Sequence, residues 1–285
     1  MDLRTVGQAL RYGRSALQTV SENPGMDVQL LLSDILSQPQ EWLLAHPEHP
    51  LKSQQGQTYH DQLSHLAAGV PLPYVLGWWS FYGRRFIVSP AVLIPRPDTE
   101  CLVELALEIL SDLNHPAFVL DAGTGSGCIG ITIAAERRGD RIIAGDISRE
   151  ALCVAVRNAS LHEVHGMIDF VVMDGLNALS CKMDLVCANF PYIESTTLSG
   201  LDVSRHEPLH ALDGGEDGFD TIRPALRRLP DVLRSGGYAL FEIAANQGPL
   251  ALQEAQQNLP AWDAALHADL AGRDRILAIQ RPACM

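Results

Sequence analysis

The segment Val119-Leu120-Asp121-Ala122-Gly123-Thr124-Gly125-Ser126-Gly127-Cys128-Ile129-Gly130 carries an apolar run into a glycine-rich turn and on into a helical stretch. Glycines there let the backbone turn tightly and let a ligand approach main-chain N–H groups at the helix start. Gly125, Gly127 and Gly130 also satisfy GxGxxG, and Asp146 follows about 20 residues on, as in a dinucleotide site. Asp121, at the strand end, argues otherwise. A carboxylate beside the loop repels a pyrophosphate but complements the ammonium of a methionine moiety or a sulfonium, which favours S-adenosylmethionine over NAD. The plain alternative is a close strand-to-helix turn and nothing more.

Two further acids end apolar runs. Asp146 closes Ile142-Ile143-Ala144-Gly145, where it can accept hydrogen bonds from both hydroxyls of a ribose or cap a helix beginning near Ser148. Asp174 follows Asp169-Phe170-Val171-Val172-Met173, placed to accept from an adenine amino group or to sit as a turn acid before Gly175. A fourth run, Asp184-Leu185-Val186-Cys187-Ala188, delivers Asn189-Phe190-Pro191-Tyr192. The lone pair of an amide nitrogen is delocalised and poorly nucleophilic, so methylating it depends on positioning. The side-chain oxygen of Asn189 and the backbone carbonyl of Phe190 can each accept one N–H of an NH₂ group, aiming its nitrogen at a methyl carbon. Pro191 biases Phe190 towards extended geometry, and Tyr192 supplies an aromatic wall.

These residues need a frame. The alternation of apolar runs (FVLDA, RIIAGD, DFVVM, DLVCAN, YALFEI) with helical stretches predicts a parallel sheet covered by helices on both faces. A helix is expected from Asp98 to Leu113. Up to residue 75 the spacing is helical instead, through Val6, Leu10, Leu17 and Val20, then Val28, Leu31, Leu32, Ile35 and Leu36, which predicts a small bundle. Between them, Trp79 to Val88 predicts a hairpin turning near Gly83. The expected division is a helical domain at 1–75, a hairpin linker at 76–97 and an α/β domain at 98–285.

Composition bounds the function. With 285 residues, 47% hydrophobic and 19% charged, the chain has enough apolar sequence for folded domains. Arginine and lysine number 21 against 34 acids, a formal charge of −13, so no sequence-wide basic field exists to hold a phosphate backbone. The six cysteines (Cys101, Cys128, Cys153, Cys181, Cys187 and Cys284) form no CxxC pair and read as buried thiols of a reducing cytoplasm. No signal-peptide core and no run of about 18 apolar residues is present, which predicts no membrane association. His206-Glu207-Pro208-Leu209-His210 matches HExxH, but Pro208 breaks the helix that such a zinc site needs, so no metal is expected. His162 and His165 read as a solvated helix end. Arg96, between two prolines, is a candidate substrate contact or the partner of Asp98 or Glu100.

In order along the chain, Asp27–Leu32, Trp42–Glu48, Phe86–Glu100 with Ile94-Pro95-Arg96-Pro97, the Asp121–Gly127 loop, Asn189–Tyr192, Glu207-Pro208 with Ala211–Gly218, and Asp269–Arg275 resemble the HemK-type protein-glutamine N5-methyltransferases that modify peptide-chain release factors. The resemblance implies a Rossmann-like class I methyltransferase domain behind a helical substrate-recognition domain. It implies methyl transfer to the glutamine amide of a release factor's Gly-Gly-Gln loop, with S-adenosylhomocysteine as product. Asp121, Gly123, Thr124, Gly125, Ser126, Gly127, Asp146, Asp174, Gly175 and Asn189 are the expected cofactor residues. The resemblance implies that Asn189, Phe190, Pro191 and Tyr192 hold the glutamine, and Arg96 is a further candidate substrate contact. Two positions depart from the family pattern: Phe190 stands where proline is usual, and Gly175 where a bulky aromatic often packs on adenine.

A hydrophobic residue before Pro-Tyr is also similar to ribosomal-RNA adenine dimethyltransferases, although the acidic balance disfavours that target. Ribosomal-protein glutamine methyltransferases share the site chemistry, while the Ile94–Glu100 linker is closer to the release-factor branch. A scaffold that binds cofactor without catalysis is the third alternative. The expected enzyme is a cytoplasmic monomer needing no metal, no covalent intermediate and no general base among Asp121, Asp146 and Asp174. Its acidic surface suits a basic protein partner, with no direct nucleic-acid or membrane contact.

Overall fold

The computed structural model describes residues 3–177 and 179–283, and divides into two compact units between Trp78 and Trp79. The first unit is helical: α1 (Val6–Ala16), α2 (Pro24–Leu36), α3 (Gln40–Ala45), α4 (Ser53–Ala67) and α5 (Leu72–Leu76). Asn23 caps α2, its side chain accepting from Met26 N ahead of a proline in the first turn, which suits the missing N–H of Pro24. Val6, Ala9, Val28, Leu31, Leu32, Leu43 and Tyr59 are buried between the helices. Val20 departs from the expected apolar face: α1 stops at Ala16 and Val20 lies beyond it, 50% exposed.

The hairpin is β1 (Trp78–Phe81) and β2 (Arg84–Ile87), turning through Tyr82 and Gly83, both at positive φ (50° and 67°) as a twisted two-residue hairpin turn requires. The second unit continues with α6 (Asp98–Ser111), β3 (Phe118–Ala122), α7 (Cys128–Glu136), β4 (Arg141–Asp146), α8 (Arg149–Leu161), β5 (Ile168–Val172), β6 (Met183–Ala188), α9 (Ser195–Leu198), α10 (Ile222–Val232), β7 (Leu233–Glu242), α11 (Gly248–Asn258), β8 (Asp263–Ala268) and β9 (Asp274–Gln280).

The sheet runs β5-β4-β3-β6-β7-β9-β8. Its first five strands are parallel, while β9 pairs antiparallel with both β7 and β8; β8 and β9 are two strands that the alternation of runs did not predict. Every residue of β6 is buried, as a central strand covered on both faces must be. Leu102, Val103 and Ala106 of α6 and Ile131 and Ile133 of α7 belong to one core cluster; Leu226, Leu229 and Val232 of α10 belong to a second, with Phe219 and Phe241.

Strand order reverses between β3 and β6, and at such a switch point the crevice beyond the carboxyl ends opens. Register then sets the contents of that crevice. Ala122 pairs with Gly145 on one side and Ala188 on the other, Asp146 pairs with Val172, and Ala188 pairs with Phe241. Gly123, Asp146, Asn189 and Glu242 therefore emerge along one rim.

Cysteine placement corrects the expectation of uniformly buried thiols. Cys128 and Cys187 are buried and Cys101 is half-buried, but Cys153 and Cys181 are exposed; Cys284 lies outside the described residues. Among the described residues no helix is long and apolar enough to cross a membrane.

Candidate active site

The crevice is a cleft of about 410 Å³ lined along one side by Gly123, Thr124, Gly125, Ser126, Asp146, Asp174 and Gly175, and elsewhere by Arg96, Thr99, Asn189, Phe190 and Pro191. Gly123, Gly125 and Gly127 take positive φ (70°, 55° and 83°), which tightens the loop before α7. The N–H groups of Gly123 and Thr124 donate to Gly145 O, tying the loop to the neighbouring strand. Asp146 holds it from the other side: Oδ2 accepts from Gly125 N (2.9 Å) and Oδ1 from Ser148 N (2.8 Å). The cap of α8 is Ser148, whose side chain accepts from Ala151 N, so Asp146 braces the helix entry without being its N-cap. Its carboxylate stays on the cleft wall with further lone pairs to offer.

Asp121 lies beneath the loop instead of in its wall. It is fully buried, and Oδ2 accepts from Thr124 Oγ1 (2.5 Å) and Gly130 N (2.9 Å), while Oδ1 has no hydrogen-bond partner. Burial pushes its carboxyl up to about 6, against the pull of the Thr124 and Gly130 hydrogen bonds. Asp121 thus shapes the loop from beneath, and a charge there would reach a ligand through that loop. That orphaned oxygen, and the open space where a Cβ of Gly125 would stand, fit a cationic ligand laid along the loop.

Asn189 is fixed by its nitrogen: Nδ2 donates to Thr99 Oγ1 (3.0 Å) on the first turn of α6. Phe190 is 6% exposed, its ring 6.3 Å from that of Phe241 and against Gly123. Pro191 O accepts from Thr221 Oγ1 (3.0 Å), and Tyr192 O from Gln247 Nε2 (2.9 Å). Gly214 and Gly218 pack so closely on Tyr192 that a Cβ at either would meet its backbone at 2.7 and 2.3 Å, which gives the Ala211–Gly218 motif a structural reason. The Tyr192 ring does not wall the cleft as expected. Its hydroxyl points to Glu242 Oε1 (3.2 Å), and burial, with the Glu242 charge beside it, pushes its pKa above the usual phenol range.

Glu242 is 1% exposed with Oε2 unpartnered. Burial pushes its carboxyl up to about 6, with hydrogen bonds from Thr99 and Tyr192 and the charge of Arg275 pulling down, and Asp98 pushing up. Cys128, at the start of α7, also senses its charge. Nothing in the local sequence around Glu242 marked it; only the β6–β7 register sets it beside Asn189.

Arg96 lines the cleft, but its ion-pair partner is neither Asp98 nor Glu100. Nη2 lies 2.5 Å from Glu207 Oε1, and Glu207 Oε2 accepts from Ile94 N (3.1 Å). Asp98 pairs with Arg275 (3.0 Å), and Glu100 accepts from Tyr82 N (2.7 Å). Glu207 thus spends both oxygens on the Ile94–Arg96 wall. Asn158, unmarked in sequence, is buried in α8 and bonds Ser126 O together with both backbone groups of Ile87. His162 is not merely solvated: Nε2 hydrogen-bonds Arg85 O (2.9 Å) and its ring packs on Phe86.

A glycine loop and an Asn-x-Pro-Tyr turn on adjacent strand ends of this doubly wound sheet define a Rossmann-like class I methyltransferase. The fold is similar to that of a methyltransferase of Pyrococcus furiosus, with a TM-score of 0.53 at 15% identity over 72% of this chain and 92% of that one. Residues 8–77 match the family model described as the PrmC N-terminal domain, and residues 103–203 the methyltransferase small domain. The release factor glutamine methyltransferase of Nitratidesulfovibrio vulgaris is 34% identical over 97% of this chain and 95% of that protein. That of Moorella thermoacetica is 38% identical over 99% of each. The chain belongs to the release factor glutamine methyltransferase family.

Proposed function

We propose that this chain transfers a methyl group from S-adenosylmethionine to the side-chain amide nitrogen of a glutamine in the Gly-Gly-Gln loop of peptide-chain release factors. The observation that carries this reading is the pairing of Ala122 with Ala188, which sets the Gly123 loop and the Asn189 turn side by side in one cleft. Gly123 to Gly127 and Asp146 would hold the cofactor's amino-acid and ribose ends, with Asp174 and Gly175 at the adenine end. When bound there, S-adenosylmethionine supplies an electrophilic methyl on a sulfonium.

The chain's own residues do the positioning. The side-chain oxygen of Asn189 and the carbonyl of Phe190 accept the two amide hydrogens, so the nitrogen faces the methyl carbon with its lone pair partly released from conjugation. With the cofactor bound, its C–S bond would break as the C–N bond formed and the nitrogen would shed one proton to water, so no side chain of this chain need act as a strong base. The helical unit is assigned to recognition of the protein substrate. The chain acts as a monomer in the cytoplasm, on protein and not on nucleic acid.

Near-full-length similarity to release factor glutamine methyltransferases supports this target over the ribosomal-protein and RNA alternatives. The test is mass spectrometry of release factors incubated with the protein and isotopically labelled cofactor. The expected product is one methyl on the target glutamine amide, with Asn189→Ala losing most of it while cofactor affinity stays within about threefold. Unmethylated release factor after prolonged incubation with the wild-type chain overturns the reading.

A further inference from the structure

A carboxamide has two ends of nearly the same shape and opposite hydrogen-bonding sense, so the end of Asn189 that faces the cleft must be chosen by its neighbours. Its Nδ2 is taken by Thr99 Oγ1 at 3.0 Å. Thr99 is 2% exposed, and its hydroxyl carries a single hydrogen. With a lone pair given to Asn189, that hydrogen needs an acceptor. The neighbouring strand end offers one in Glu242: its Oε1 takes the Tyr192 hydroxyl (3.2 Å), its Oε2 is buried without a partner, and the Thr99 hydroxyl is near enough to pull its carboxyl down.

We infer that Thr99, backed by Glu242, is a positioning residue that fixes the polarity of the Asn189 amide and thereby makes the site select a carboxamide over a carboxylate. An ionised carboxylate only accepts, so the hydrogen-bond direction runs one way, from Asn189 through Thr99 to Glu242. Asn189 Oδ1 is then left for the substrate. Reversed, the amide would point its own NH₂ at the substrate's NH₂, two donors face to face, and would instead suit a glutamate oxygen. This rests on the proposed role of Asn189 as an acceptor for the target amide.

The experiment compares a release factor with the same factor carrying glutamate in place of the target glutamine, the second as a competitive inhibitor. The full chain is assayed at about pH 8, above the value of about 6 to which burial pushes the Glu242 carboxyl. Thr99→Val keeps the shape and removes the hydroxyl. It is expected to lower kcat about tenfold, with the KM for cofactor within about threefold, and to shift the glutamine-to-glutamate binding ratio about tenfold towards glutamate. Thr99→Ser, which keeps the hydroxyl, is expected to remain within about threefold of the wild type in both readouts.

An unshifted ratio in folded Thr99→Val, or a Thr99→Ser protein as impaired as Thr99→Val, overturns the inference while a collapse of turnover in Asn189→Ala still upholds the site. Undiminished turnover in Asn189→Ala overturns the reading of the site itself. If Thr99→Val fails to fold, Glu242→Gln decides. A glutamine there can donate as well as accept, so the ratio is expected to relax towards glutamate, and an unchanged ratio sinks the inference.

Discussion

The ring of Phe190 lies against Gly123: a Cβ on that glycine would stand 3.1 Å from Phe190 Cδ1. The Asn189 turn and the glycine loop are therefore one packed unit, and the departure from proline at 190 is filled by a side chain anchored on Phe241 in the core. An anchored ring restores the rigidity that a missing proline would otherwise forfeit.

From that contact, Phe190→Pro is expected to destabilise the protein by about 3–5 kcal/mol, the range for emptying an aromatic site in a core. It should also weaken cofactor binding, because the loop loses its floor. Gly123→Ala is expected to cost about 1–3 kcal/mol from its positive φ and the close ring. The double variant Gly123→Ala, Phe190→Leu should be less damaged than the sum of its parts. Urea denaturation of the single and double variants checks this, and strict additivity would disprove the contact's importance.

Asp121 gives a pH prediction. Its folded value of about 6 lies above the ordinary carboxylate value, so between about pH 4 and 6 the folded chain binds more protons than the unfolded chain. Its contribution to stability is fully present below that window and is lost as pH rises through about 6. Asp121→Asn is therefore expected to be more stable than the wild type without ligand at about pH 8, by on the order of 1–3 kcal/mol, with no advantage below about pH 4. The same variant should bind cofactor more weakly, since the buried charge is gone. Denaturation at both pH values and calorimetric titration read the two effects; a variant less stable at the higher pH would show that the fold already compensates the charge.

Arg96 and Glu207 give a third. Glu207 is 5% exposed, so removing its cation leaves a buried carboxylate with only Ile94 N for company. Because Arg96 is about one-third exposed, solvent screening keeps the cost of Arg96→Ala moderate, about 1–3 kcal/mol. Glu207→Gln, which keeps the acceptor for Ile94 N, should cost less. Thermal melts rank the pair, and the opposite order would mean that Arg96 is spent elsewhere.

Much of this was legible beforehand. The glycine loop, the acids at 146 and 174 and the Asn189 turn are local signals: an apolar run, then a residue type suited to a strand end. What stayed hidden depended on distance in sequence. Thr99, Gln247 and Glu242 reach the Asn189 turn only through the packing of α6 and the register of β7, and Arg96 finds Glu207 across 111 positions. The two antiparallel strands escaped for another reason. β8 is an exposed edge with alanines at Ala264, Ala265 and Ala268, where neither alternation nor β-branching marks a strand.

Asp146 has both oxygens pinned by main-chain hydrogens before any ligand arrives. A carboxylate held in that way cannot swivel to rescue a poor fit, so a ribose seated there as proposed would be gauged against a fixed bearing. A nucleoside missing one hydroxyl, or puckered the other way, would forfeit its bond outright, and the rim would act as a stereochemical filter on whatever enters.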